Sequence, residues 1–138
     1  MSTRINAGLH RTDADAPSPG SVRRYDAASE SFTSEQCHIV ELSNDAADEA
    51  ASIARARVEP GVTTRWHHLV DTTERYVVIE GRASVEVGTE PPRTIGPGDV
   101  VVIAPMVHQR ITNLGASDLV FLAICTPRFR SSNYREAE

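Results

Sequence analysis

The sequence predicts an all-β domain closed as a sandwich or barrel. Three observations carry the prediction: short runs rich in Val, Ile and Thr, turn-forming residues between them at near-regular spacing, and no long amphipathic helical pattern. At 138 residues the chain has the length of one domain with a single core.

Residues 1–36 read as a flexible arm. They are rich in Ser, Thr, Asp, Ala and Arg, with Pro17, Pro19 and Gly20 close together, and their few large apolar residues keep no period. Such a segment buries too little surface to offset the entropy of ordering it. The barrel unit follows over 37–129. Its strands are expected at 38–42 and 52–59, then at 63–69, 74–79, 83–87, 100–103, 109–113 and 119–126. The acidic, Ala-rich loop 43–51 contains helix formers enough for a helical turn. Pro60-Gly61, Glu80-Gly81, Pro91-Pro92, Gly96-Pro97-Gly98-Asp99 and Asn113-Leu114-Gly115 supply the breaks. Residues 130–138 are polar and read as a short tail.

Composition removes whole classes of function. All 14 basic residues are arginine, so neither a Schiff-base lysine nor a P-loop lysine is available. A net charge of −5 argues against a nucleic-acid or anionic-membrane surface. No run approaches the ~18 apolar residues of a membrane span, and the N-terminus lacks a signal-peptide apolar core. Cys37 and Cys125 make neither a disulfide framework nor a zinc cluster, so a cytoplasmic protein with reduced thiols is expected.

The chemistry-bearing residues cluster by spacing. Gly61, His67, Leu69, Glu74 and Gly81 fall on the pattern G-x5-H-x-H-x3,4-E-x6-G, with Leu69 at the second His. Gly98, Ala104, Met106, Gln109 and Asn113 fall on G-x5-P-x-G-x2-H-x3-N, with Gln109 at the His. In these two motifs the chain resembles a small single-domain cupin, and the resemblance covers most of 61–113. It implies a double-stranded β-helix, a jelly-roll barrel, with a divalent metal held in its mouth by three His and one Glu.

Carried over residue by residue, the resemblance leaves His67, Glu74 and Gln109 as metal ligands. Leu69 cannot coordinate, and a Gln carbonyl is a weaker donor than imidazole. Such a mixed set would take Zn, Mn, Ni or Fe without choosing among them. His68 and His108 are each one residue out of phase and substitute only if a bulge turns one of them inward. The competing reading is a barrel that has lost its metal and kept a polar pocket, in which Glu74 serves as a general base.

Alternation along the strands places further residues. If His67 faces inward, so do Arg65 and Leu69; Glu74 brings Tyr76 and Val78, and Gln109 brings Ile111. That makes a mostly apolar small-molecule pocket with a few polar groups, in which Arg65 would meet an anionic substrate. Cys125 reads as a small buried hydrophobe. The function expected is a small metal-dependent cupin enzyme of oxygenase, isomerase, cyclase or lyase type. The alternative is a non-catalytic binding or sensing domain, and the resemblance also implies a homodimer.

Overall fold

The computed structural model describes residues 19–137. The chain forms β1 (Ser31–Phe32), β2 (His38–Ser43), β3 (Ser52–Val58), β4 (His67–Leu69), β5 (Thr73–Glu80) and β6 (Ala83–Val87). There follow β7 (Arg93–Ile95), β8 (Val100–Ile103), β9 (Gln109–Asn113), β10 (Leu119–Thr126) and β11 (Tyr134–Glu136). One antiparallel sheet runs β1-β2-β3-β10-β5-β8 and the other β11-β4-β9-β6-β7. Each of the eight strands expected from Val, Ile and Thr has an observed counterpart, β1, β7 and β11 are additional, and the two sheets make the expected jelly roll.

Alternation sets the interior. On β5 Glu74, Tyr76 and Val78 are buried while their neighbours are not, and on β9 Gln109, Ile111 and Asn113 do the same. Ile111, Leu119, Val58, Val78, Val85 and Phe121 pack between the sheets. Each contributes roughly 1.5–3 kcal/mol by leaving water. One end of this sandwich is thus apolar and closed, which leaves Glu74 and Gln109 at the other.

Two turns show why the motif positions matter. Gly81 has φ +93°, and a Cβ there would meet Leu119 Cα at 3.1 Å and the Asp118 carbonyl at 3.2 Å, so only glycine fits without displacing backbone. Met106 stands where the motif has glycine and still adopts the left-handed conformation, φ 71°. Its amide donates to the Leu69 carbonyl at 2.8 Å, a long-range bond that holds a non-glycine residue in a costly backbone state.

Four sequence expectations are corrected. The strand expected over 63–69 is regular only from His67; before it the pairing with β9 is a single Thr63–Thr112 bridge, beside which the Thr64 amide donates to the Ile111 carbonyl and Thr64 Oγ1 accepts from the Ile111 amide, each at 2.9 Å. The loop 43–51 makes turns, not a helical turn, since Asp45 Oδ1 captures the Ala47 amide at 3.0 Å. Of the arm expected over 1–36, residues 1–18 lie outside the described residues, and Ser31–Phe32 pairs with β2. The tail expected over 130–138 supplies β11, which pairs with β4 from Tyr134–Leu69 to Glu136–His67.

The two flanks also meet one another. Ser34 Oγ donates to Glu136 Oε2 at 3.0 Å, the Arg65 amide to the Glu35 carbonyl at 3.1 Å, and the Ala137 amide to the Trp66 carbonyl at 2.9 Å. The segments around 34–35 and 136–137 are thereby laced across the same mouth of the barrel. Among the described residues no helix is long and apolar enough to cross a membrane.

Candidate functional site

The strands bring His67, Glu74 and Gln109 together, as alternation predicts. Gln109 is the hub. Its Nε2 donates to His67 Nε2 and to Glu74 Oε1, both at 2.8 Å, and its Oε1 accepts from Tyr76 Oη at 2.7 Å. His67 Nδ1 lies 2.6 Å from the Arg65 carbonyl, which can only accept, so Nδ1 carries the proton and Nε2 is free to accept from Gln109. His67 is thus neutral, consistent with burial lowering its pKa against the opposing pull of that backbone bond.

This network decides how well a metal fits. The one atom of Gln109 suited to a metal, its carbonyl oxygen, is turned to Tyr76, and the amide nitrogen fills the space between His67 and Glu74. Leu69 is buried and offers no donor. Among the described residues no group of three or more His, Cys, Asp or Glu is arranged to hold a metal ion. His68 and His108 do not compensate: they pair with each other, Nδ1 to Nε2 at 3.2 Å, and His108 stacks on Trp66, so neither turns toward Glu74. The residues present do not fit the expected metal.

Beside this hub lies a cavity of about 270 Å³. Glu74 and Tyr76 of β5 line it together with Phe121 and Cys125 of β10. β2 and β3 add Glu41 and small side chains, and the flanks add Glu35, Phe129 and Tyr134. Glu35 Oε2 comes to 3.7 Å from His67 Nε2, and the Tyr134 ring stacks on the His67 ring with centroids 4.9 Å apart. Two carboxyl groups therefore meet the His67–Gln109 hub, Glu74 from β5 and Glu35 from the segment before β2.

Their environment changes their acidity. Burial, reinforced by the Glu35 charge, pushes Glu74 up to about 8. Burial, reinforced by Glu136, pushes Glu35 up to about 7. Glu41, which also borders the cavity, is raised by burial as well. Because Glu74 Oε1 already accepts from Gln109, the proton of neutral Glu74 resides on Oε2, where the nearest polar neighbour is the Cys125 thiol at 3.8 Å. Burial and the Glu74 charge raise the Cys125 thiol far above its ordinary value, so it is no nucleophile.

The pocket expected from the sequence is corrected in part. Tyr76 lines the cavity, but Leu69, Val78 and Ile111 are buried in the packed interior and do not. Arg65 is exposed, because the strand that would have turned it inward begins two residues later. The sequence reading missed Glu35, Glu41 and Tyr134. Period two from Cys37 through Ile39 could have flagged Glu41; Glu35 and Tyr134 lie in segments with no period at all.

A family profile described as Cupin domain matches residues 54–125. No curated protein matches the chain. Among solved structures, Pac13 from Streptomyces, described as a unique nucleoside dehydratase, is 16% identical with TM-score 0.70, covering 86% of this chain and 92% of that one. A conserved protein with a double-stranded beta-helix domain from Klebsiella pneumoniae is 15% identical with TM-score 0.69, covering 86% of this chain and 99% of that one. KdgF from Halomonas sp. is 16% identical with TM-score 0.68, covering 82% and 97%. At such identities the likeness establishes the fold.

Proposed function

The chain belongs to the cupin domain family, and on that premise we propose that its cavity binds a small organic molecule and moves protons on it through Glu35 and Glu74, without a metal. The observation that carries this reading is the pair of carboxyl groups beside one cavity, Glu74 buried and Glu35 half-buried, both raised toward neutral pH, with Gln109 closing the position where a metal would sit. Two carboxyls whose environments separate their acidities can divide the labour of base and acid.

Glu35, the more acidic of the two, serves as the base and takes a proton from a substrate carbon. Glu74 donates the Oε2 proton to a substrate oxygen. If that oxygen is a carbonyl an enol forms; reprotonation of the neighbouring carbon by Glu35, with return of a hydroxyl proton to Glu74, completes an isomerisation and restores both groups. If it is a hydroxyl it departs as water and a double bond forms, Glu35 ends protonated and Glu74 ionised, and exchange with water resets both. Gln109 and His67 are positioning residues: they pin Glu74 Oε1 and thereby aim Oε2. A dehydratase built on the same barrel supports this choice of chemistry.

The test is solvent-deuterium incorporation, or loss of water, in a panel of small hydroxy-carbonyl compounds followed by NMR. Glu74→Gln and Glu35→Gln are each expected to slow the reaction about 100-fold or more. Metal analysis of tag-free protein loaded with Zn, Mn, Ni and Fe(II) should find far less than one ion per chain. One ion per chain, lost in His67→Ala, would refute the metal-free reading; ligand binding without exchange in any compound would favour the non-catalytic alternative.

Homodimer formation belongs to the same proposal. Val100 and Val102, 56% and 63% exposed on the edge strand β8, offer an apolar edge to a second copy. Sedimentation should give the mass of two chains, and Val102→Arg should return it to one. A monomeric natural chain would rule the dimer out.

A further inference from the structure

The donors and acceptors around the cavity are unequally committed. Four of its hydroxyl donors are spent on the protein itself. Tyr76 Oη donates to Gln109, Tyr134 Oη to Glu136, Ser34 Oγ to Glu136, and Thr33 Oγ1 to the Cys37 carbonyl. Its carboxyl oxygens are less committed. Glu35 Oε2 has His67 Nε2 at 3.7 Å, a nitrogen that accepts from Gln109 and offers no proton, and Glu74 Oε2 has the weakly donating Cys125 thiol at 3.8 Å, with Tyr76 also acting on that carboxyl. A carboxylate as poorly satisfied as that of Glu35 calls for a donor from outside the protein.

Charge is just as one-sided. Glu35, Glu41 and Glu74 all border the cavity, and no basic residue among the described residues lines it. The arginines are committed elsewhere: Arg57 to Glu30 at 2.7 Å, Arg128 and Arg130 to Glu49 at 3.0 and 2.7 Å, Arg110 to Glu86 at 2.9 Å. The imidazole near Glu35, His67, is neutral, its Nδ1–H donating to the Arg65 carbonyl and its Nε2 accepting from Gln109. The remaining walls are aromatic, from Tyr76, Phe121, Phe129 and Tyr134. With both hydroxyls turned to protein acceptors, these rings present π-faces and edges rather than donors.

We propose that the ligand of this cavity is a small organic cation, a protonated amine. An ammonium group brings what the cavity lacks, N–H donors and positive charge, and its hydrocarbon portion suits the aromatic walls. The Glu35 and Glu41 carboxylates receive the cationic head, which leaves the Glu74 Oε2 proton for the substrate oxygen. This inference rests on the reading of the cavity as the substrate site and narrows that site to one class of substrate. It also explains how Glu35, raised by burial, becomes ionised to act as the base, since the incoming charge replaces the missing counter-ion.

Three probes with one carbon chain and different heads test it: n-butylammonium, 1-butanol and butyrate, titrated into the full chain and followed by amide chemical shifts. Butylammonium should bind about tenfold or more tightly than 1-butanol, with shifts centred on residues 33–41, 74–76 and 129–134, and butyrate should not bind. Glu35→Gln should weaken butylammonium about tenfold and leave 1-butanol unchanged. Glu41→Gln, on the more exposed rim, provides the same comparison if Glu35→Gln folds poorly. Equal or tighter binding of 1-butanol or butyrate in the same region would overturn the cation and leave the cavity as the site. If no probe shifts those residues, the cation and the reading of the cavity as a binding site both fail.

Discussion

Glu74→Gln is expected to make the folded protein more stable than the natural chain at pH 9 and no more stable at pH 4. In the native state Glu74 holds its proton up to about pH 8, against an ordinary value of 4.5, because burial penalises its charge. The folded state therefore binds that proton more tightly than the unfolded state does. Its contribution is fully present below pH 4.5 and is lost as pH rises through 8, by on the order of 4 kcal/mol. Glutamine keeps the acceptor that Gln109 needs at Oε1 and cannot ionise, so the loss should vanish with the carboxyl. Urea denaturation at pH 4, 6, 8 and 9 measures both chains. Parallel pH profiles would mean that Glu74 titrates as an ordinary carboxyl and that the site is open to water.

Asn113→Ala should cost about 3 kcal/mol, with little change in the cavity. Asn113 is buried at the end of β9, and its side chain meets three backbone groups at once. Nδ2 donates to the Val58 and Ser117 carbonyls at 2.9 Å each, and Oδ1 accepts from the Gly115 amide at 2.8 Å. Alanine would leave the buried Val58 carbonyl without that donor and unfasten the turn between β9 and β10. Thermal or chemical denaturation reads the loss. A change below about 1 kcal/mol would show that water replaces the side chain at no great cost.

Asn113 also marks what could be read without coordinates. Gly81, Gly98 and Asn113 are legible because each answers a backbone demand that recurs at fixed spacing, and the strands between them are legible because one face of each is apolar. That register put His67, Glu74 and Gln109 in one place. It could not show that Gln109 would spend its carbonyl on Tyr76, since amide orientation depends on every neighbouring donor at once. Glu35 and Tyr134 were illegible for another reason. Their segments are two or three residues of strand, anchored by bonds to residues distant in sequence, such as Ala137 to Trp66 and Ser34 to Glu136. Local pattern carries no trace of such anchors. Arg93–Ile95 escaped notice because it is short and mostly exposed.

The lacing of the two flanking segments across the barrel mouth separates two kinds of inheritance. Residues 54–125, the span of the family match, hold Glu74, Gln109 and the packed interior, while Glu35, Glu41, Phe129 and Tyr134 fall outside it. Trimmed to that span the barrel would become an open bowl, retaining its acid and losing its roof. Ligand choice can then drift in the ends without repacking the centre. A chimera that grafts these flanks onto a related barrel should carry their preference with them.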